Sequence, residues 1–294
     1  MINTAAIKAM LERSAEKKTG RFSFAITTNG TCSSDENLSL LEKGNFEVIL
    51  SIDGPPRIHD ECRQTISGSP SHATVLSFLR SLRARTHCWV RGSAVVRSGW
   101  SLAQASAYLR SLPVDVIKAQ AIRAAPGSPY TLSASEKLAY LKDLADLGHQ
   151  VIAELEAGQR PRDDRFNSRV LQLLARKKRT SFCGAGEIIF GINPSGFVLP
   201  CVLMDAREGT FGHISDDSST WITAGQKWRK SRSVRTECKS CSVFHLCGGG
   251  CPAVLPICGS DECDIVRKEC EVSMMIFEHF RSRPESLLAM AGIT

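Results

Sequence analysis

No window of the 294 residues reaches the roughly 18 uninterrupted apolar positions of a membrane span, because charge or proline breaks the longest runs. Residues 1–20, MINTAAIKAMLERSAEKKTG, lack the apolar core and small-residue cleavage site of a secretory signal. Internal repeats and low-complexity tracts are also lacking, which argues against solenoids and fibrous chains. Charge of neither sign dominates. Lys+Arg 37 against Asp+Glu 30 gives +7, which would help hold an acidic peptide or a phosphate but falls short of a nucleic-acid footprint. The densest basic run, Arg176-Lys177-Lys178-Arg179, reads as a solvated linker. The expectation is a soluble, cytoplasmic chain with no membrane and no nucleic-acid partner. Its composition, 43% apolar and 23% charged, is that of a globular protein, and its length allows two domains or one barrel-like unit.

What the chain has in excess is cysteine. Of its 12, Cys32, Cys62 and Cys88 are scattered, whereas nine fall between Cys183 and Cys270. A reducing cytosol disfavours disulfides, and a chain of this length does not need them to hold its core. Clustered thiolates in that setting point to metal.

The first 120 residues alternate between strand and helix patterns. Ile2–Lys18 has helix-forming composition, with Ile7, Met10 and Leu11 at helical spacing. Arg21–Thr27 is strand-like and stops at the turn pair Asn29-Gly30. Leu38–Glu42 predicts a short helix, and Phe46–Ile52 (FEVILSI) predicts a strand buried on both faces. Val75, Leu76, Leu79 and Leu82 mark a helix face, followed by a strand near Cys88–Val96, a helix over Ser101–Leu112 and a strand over Val114–Ala119. Strands separated by helices imply parallel pairing with right-handed crossovers and ligands at the carboxyl ends of the strands. Thr28-Asn29-Gly30 and Ser51-Ile52-Asp53-Gly54 occupy those ends. After the break at Pro126-Gly127-Ser128-Pro129, Ser133–Ala157 and Phe166–Arg176 are helical. From Ser181 on, helical periodicity disappears until Val266–Arg281. In between, Ile188–Ile192 and Phe197–Val202 flank Asn193-Pro194-Ser195-Gly196 as a predicted β-hairpin.

The cysteine pattern is Cys183-x12-Gly196-x4-Cys201, then Cys238-x2-Cys241-x5-Cys247-x3-Cys251, then Cys258, Cys263 and Cys270. A two-residue gap lets two thiolates approach one centre from a single turn. Glycines at 248, 249 and 250 let the backbone fold tightly beside a bulky inorganic group. A structural zinc site using Cys238, Cys241, Cys247 and Cys251 is the simpler alternative. The five further thiols, and the absence of two CxxC pairs 12–20 residues apart, favour iron–sulfur clusters.

This pattern resembles the SPASM domain of radical S-adenosylmethionine (SAM) enzymes, and Lys268-Glu269-Cys270 with Met275–Phe280 is similar to that domain's closing helix. The resemblance implies two auxiliary [4Fe-4S] clusters. Cys183, Cys201 and Cys251 would serve the first, with Cys258 or Cys263 as possible additional ligands. Cys238, Cys241, Cys247 and Cys270 would serve the second. Thr28-Asn29-Gly30-Thr31 resembles the TNG element of the same enzymes' barrel. Ser51-Ile52-Asp53-Gly54-Pro55, with Ile58-His59-Asp60 and Arg63, resembles their SIDGP…HD…R segment. By that resemblance Asn29 and Ser51 would face SAM and Arg63 would bind its carboxylate, as a guanidinium can do bidentately. Asp53-Gly54-Pro55 is expected to shape a turn.

Two departures qualify the resemblance. No CX3CX2C loop exists for the SAM-binding cluster, and Cys32, Cys62 and Cys88, 30 and 26 residues apart, cannot replace it. The expectation is therefore a partial (β/α) barrel over 1–125 lacking its N-terminal strands, a helical bridge over 126–180 and a SPASM domain over 181–294. The intact form alone would carry the third cluster and make the 5′-deoxyadenosyl radical. Such a maturase would oxidise or cross-link a peptide or protein, with flavodoxin or ferredoxin as electron donor. Second, Val202 stands where sulfatase-maturating relatives carry a proton-accepting Asp. A non-catalytic iron–sulfur electron-transfer or peptide-binding protein and a zinc-stabilised interaction module are the alternative functions.

Overall fold

The computed structural model describes residues 3–17, 22–205, 209–232 and 234–292, so the expected helix and strand ends at Ile2, Lys18 and Arg21 lie outside the described residues. The chain divides into two compact units. One comprises residues 1–122, 127–167 and 285–294; the other comprises 123–126 and 168–284. The segment expected as a helical bridge is shared between them.

The first unit alternates α1 (Thr4–Glu16), β1 (Ala25–Thr28), α2 (Asp35–Lys43), β2 (Glu47–Ser51), α3 (Pro56–Cys62), α4 (His72–Arg85), β3 (Trp89–Val96), α5 (Leu102–Arg110), β4 (Val116–Ala121) and α6 (Ala134–Glu156). The four strands pair in parallel in the order β1-β2-β3-β4. The fold is the α/β class the alternation predicts. Beside β4, the Ile117 N–H donates to the Arg162 carbonyl at 2.7 Å and Ile117 forms a parallel bridge with Asp163. The buried Arg165 then donates from Nε to Asp163 Oδ1 at 2.9 Å and from Nη2 to the Ala119 carbonyl at 2.7 Å.

One face of the sheet carries the core. Val48, Leu50, Val90, Ala94 and Val96 are buried, as are Phe78, Leu79 and Leu82 of α4 and Leu102 and Leu109 of α5. Each fully buried side chain of this size contributes roughly 1.5–3 kcal/mol. The other face differs from the expectation for β2. Glu47, Ile49 and Ser51 are only half-buried and alternate with buried Val48 and Leu50, so the strand has one core face rather than two. Helix α1 buries none of its residues, and Met10 stays exposed.

The second unit contains α7 (Asn167–Leu174, entering it at Ser168), β5 (Gly191–Ile192), β6 (Phe197–Leu199), β7 (Gly212–His213), α8 (Ser218–Ser231), α9 (Thr236–Lys239), α10 (Phe244–Cys247), α11 (Leu255–Cys258) and α12 (Ser260–His279). Strands β5 and β6 form the expected antiparallel hairpin, shorter than predicted, and β7 adds a third strand. Helix α8 falls where no helical periodicity was expected. It buries only Gly225, so it carries no apolar stripe to read; its one sequence signal is the N-cap Asp217, which accepts from the Ser219 N–H. Helix α12 starts six residues earlier than Val266.

Candidate functional site

The carboxyl ends of the parallel strands bear the first set of candidate residues. After β2 the chain turns at Asp53, a buried residue with several partners. Arg63 donates from Nε to Oδ2 at 2.6 Å and from Nη2 to Oδ1 at 3.2 Å, and the Val95 N–H donates to Oδ1 at 2.9 Å. The Asp53 carbonyl accepts from Trp100 Nε1 at 2.8 Å, while its N–H donates to His59 Nδ1 at 3.3 Å. An accepting Nδ1 leaves the proton on Nε2, which lies 3.1 Å from Ser71 Oγ. Burial lowers the His59 pKa and favours this neutral ring. The Ser71 hydroxyl donates onward to the Arg63 carbonyl at 2.5 Å. Gly54 admits the Trp100 ring, since a Cβ there would stand 2.9 Å from its Cζ2. Asp53 thus shapes a turn, as its sequence context predicts.

The sequence-assigned ligand residues of this unit sit around that turn. Arg63 is held by Asp53 through Nε and Nη2, which leaves Nη1 outside those two bonds. Ser51, half-buried, is in register with Ser93 of β3. Asn29 closes its own turn by accepting from the Thr31 N–H at 3.2 Å and the Thr31 hydroxyl at 2.9 Å. Gly30 follows at φ +70°, and a Cβ there would meet Leu50 at 2.8 Å, so glycine is required.

The half-open sheet face also carries polar groups that pattern reading did not single out. Arg91 Nη2 pairs with Glu47 Oε1 at 3.0 Å and Asp164 Oδ2 at 2.7 Å, and burial pushes the Asp164 carboxyl up. Ser93, Lys118 and Gln120 alternate along the same strands, each half-buried. The legible signal is polar residues two apart on otherwise apolar strands, Arg91 and Ser93 in WVRGSAVV and Lys118 and Gln120 in VIKAQA.

In the second unit eight of the nine thiols gather in two groups, and Cys183 lines a separate cavity. Cys251 and Val254 form one apolar cluster, against which Cys201, Cys258, Met204 and Phe182 pack. Cys183 opens onto a cavity of about 330 Å³ that is also lined by Phe182 and by Gly248, Gly249 and Gly250. In the other group, Cys238, Cys241, Cys247 and Cys263 line a single narrow cavity, and Cys270 is buried in an apolar cluster with Val266 against which Cys241 and Cys247 pack. Arg235 Nη2 stands 3.8 Å from the sulfurs of both Cys238 and Cys263. Burial pushes the Cys270 thiol up to about 12, opposed by the Arg169 guanidinium. Burial likewise raises Cys247, opposed by the N–H groups of Gly249 and Gly250, which hydrogen-bond its sulfur.

The donor chemistry fits iron–sulfur centres. Nine soft thiols lie in this one unit, and three successive glycines at φ +79°, +95° and +82° form a tight cradle beside Cys247. A Cβ on Gly248 would stand 2.2 Å from the Ser181 carbonyl oxygen, so only glycine lets the two backbones approach. Among the described residues no three His, Cys, Asp or Glu side chains converge on a position suited to one metal ion. The three thiols of the first unit do not fit a cluster: Cys62 is exposed, Cys88 is buried beside β3, and Cys32 precedes α2.

Residues 183–242 match the model of SPASM, an iron–sulfur cluster-binding domain, a match that includes Cys183, Cys201, Cys238 and Cys241. The chain as a whole is similar in sequence and fold to radical SAM/SPASM maturases. Among the relatives is the cysteine-type anaerobic sulfatase-maturating enzyme of Clostridium perfringens (strain 13 / Type A), 25% identical over 255 residues covering 82% of this chain and 67% of that enzyme. The serine-type anaerobic sulfatase-maturating enzyme of Bacteroides thetaiotaomicron is 38% identical over 64 residues, 22% of this chain and 16% of that enzyme. A solved structure described as native anSMEcpe with bound AdoMet and Kp18Cys peptide shares the fold at a TM-score of 0.74 and 20% identity, over 98% of this chain and 82% of that one. Among the described residues, no helix is long and apolar enough to cross a membrane.

Proposed function

We propose that this chain works in radical SAM/SPASM maturation of a peptide or protein, holding two auxiliary [4Fe-4S] clusters in its second unit. The observation that carries this reading is the gathering of eight of the nine thiols in two groups, each beside its own apolar cluster. Cys183, Cys201 and Cys251 would hold the first cluster, and Cys238, Cys241, Cys247 and Cys270 the second. When bound, the clusters would supply electron acceptance or a Lewis-acidic iron for the peptide. Ser51, Asn29 and the Nη1 edge of Arg63 would face SAM at the carboxyl ends of β1 and β2. A flavodoxin or ferredoxin in the cytoplasm would supply electrons.

The relatives that act on sulfatases do not fix the substrate here, because Val202, exposed beside Cys201, offers no proton acceptor. The sequence contains no CX3CX2C loop of the kind that holds a SAM-binding cluster. One second reading is a non-catalytic iron–sulfur protein that binds a peptide or carries electrons through the same thiol groups.

The test is metal and acid-labile sulfide per chain after anaerobic reconstitution. About eight iron and eight sulfide are expected for two cubanes. One or two zinc with no sulfide would sink the proposal and leave a binding module. SAM binding to the loaded chain, lost in Arg63→Ala, separates the maturase reading from an electron carrier.

A further inference from the structure

The ligand set read from the resemblance leaves the first cluster one thiolate short, with Cys183, Cys201 and Cys251 against the four of the second. From the packing of the second unit we infer that Cys258 closes the first cluster as its fourth ligand. The inference rests on the maturase reading above and deepens it.

Three observations carry it. First, Cys258 packs on the same apolar cluster as Cys251 and Cys201, together with Val254 and Met204. Second, the backbone between the two cysteines folds as consecutive turns leading into α11: the Leu255 N–H donates to the Cys251 carbonyl at 3.0 Å and the Cys258 N–H to the Val254 carbonyl at 2.9 Å. These turns keep the two cysteines, seven residues apart in sequence, beside the same apolar cluster. Third, the other candidate is engaged elsewhere. Cys263 lines the cavity of Cys238, Cys241 and Cys247, and Arg235 Nη2 stands 3.8 Å from both its sulfur and that of Cys238. Eight of the nine thiols therefore sort as three and five, Cys201, Cys251 and Cys258 against Cys238, Cys241, Cys247, Cys263 and Cys270, and Cys183 joins the first set by the resemblance alone.

The sulfur of Cys258 makes a long contact, 3.7 Å, to the Ala124 carbonyl, which a metal bond could replace. Gly259 follows at φ +56° with open space around its Cβ position. It ends α11 and lets the chain turn into α12 immediately behind the thiol.

The test uses the full chain, reconstituted anaerobically. In the unmutated protein, alkylation mapped by mass spectrometry should spare Cys258 until a chelator strips the iron. In Cys258→Ser, iron should fall from about eight to about seven or fewer per chain, and the oxidised protein should show the paramagnetic signal of a three-iron cluster. Cys258→Asp, which keeps an anionic donor, should restore the full iron count with a shifted spectrum. Alkylation of Cys258 in the loaded chain at the rate seen in the stripped chain would overturn the inference, and needs no variant. So would a Cys258→Ser protein with full iron and an unchanged spectrum; both results leave the maturase reading standing. An unmutated chain with no acid-labile sulfide removes that reading and this inference together.

Discussion

Arg63 grips Asp53 along one guanidinium edge, Nε to Oδ2 at 2.6 Å and Nη2 to Oδ1 at 3.2 Å, across ten residues of the turn that follows β2. Asp53 is also tied to β3 through the Val95 N–H and to Trp100 through its carbonyl. The pair therefore sets both the shape of the turn and the direction of the remaining guanidinium nitrogen. Asp53→Asn should lower stability by about 2–3 kcal/mol, because it leaves a half-buried cation with a weakened partner. A double-mutant cycle with Arg63→Gln, read by urea unfolding, should return a coupling of about 1–2 kcal/mol. Strictly additive losses would show that the two side chains stand together without depending on each other.

Glu136 predicts a dependence on acid. Its carboxylate accepts from the Gly99 N–H at 2.8 Å, the Ser133 N–H at 2.8 Å and the Ser133 hydroxyl at 2.7 Å, joining the start of α6 to the loop after β3. These bonds, the Gly99 N–H first, lower its pKa from 4.5 to about 2. A folded-state value below the unfolded one means stability that is present in full above pH 4.5 and is lost as pH falls from 4.5 towards 2. Glu136→Gln should cost about 1 kcal/mol at neutral pH, as loss of a capping-box partner does. It should also flatten the decline in the unfolding midpoint between pH 5 and pH 3. A variant whose midpoint falls as steeply as the parent's would remove Glu136 from the account.

Two glycines of nearly equal φ should respond differently to alanine. Gly99, at φ +77°, has nothing near its Cβ position, whereas Gly248, at φ +79°, would put a methyl 2.2 Å from the Ser181 carbonyl oxygen. Gly99→Ala should therefore cost only the backbone strain, about 1 kcal/mol, and keep the iron content. Gly248→Ala adds a collision that backbone must move to relieve, so its cost should exceed about 2 kcal/mol and the reconstituted chain should lose iron. Equal losses in thermal unfolding would mean that the two backbones are not as closely held as they stand.

The parallel sheet was legible because strand and helix periods differ and because Val48, Leu50, Val90 and Val96 are apolar for one reason, burial against helices. The turn residues at Asn29-Gly30 and Asp53-Gly54 were legible from their chemistry. Periodicity failed where a segment has no buried face: α8 buries a single glycine, so nothing in its spacing marks it. It also failed in finer detail on β2, where Glu47, Ile49 and Ser51 face a half-open surface although the nearly continuous apolar run reads as buried on both faces. The partners of Arg91, forty-four residues away at Glu47 and seventy-three away at Asp164, depend on tertiary pairing that no local pattern encodes. Cysteine spacing marked the thiol-rich unit, but which thiol faces which cavity required the packing of α11 and α12.

The two backbone N–H groups directed at the Cys247 sulfur carry a consequence for electron flow. A sulfur that accepts hydrogen bonds tolerates added negative charge, which raises the reduction potential of the iron it holds. Cys201, at the other group of thiols, lies outside that pair of donors. Under the proposed assignment, the cluster ligated by Cys247 should then be the easier of the two to reduce, and a redox titration of the reconstituted chain followed near 400 nm should resolve two steps. Two resolved steps would mean that Gly249 and Gly250 do more than make room: they give the electron a downhill direction.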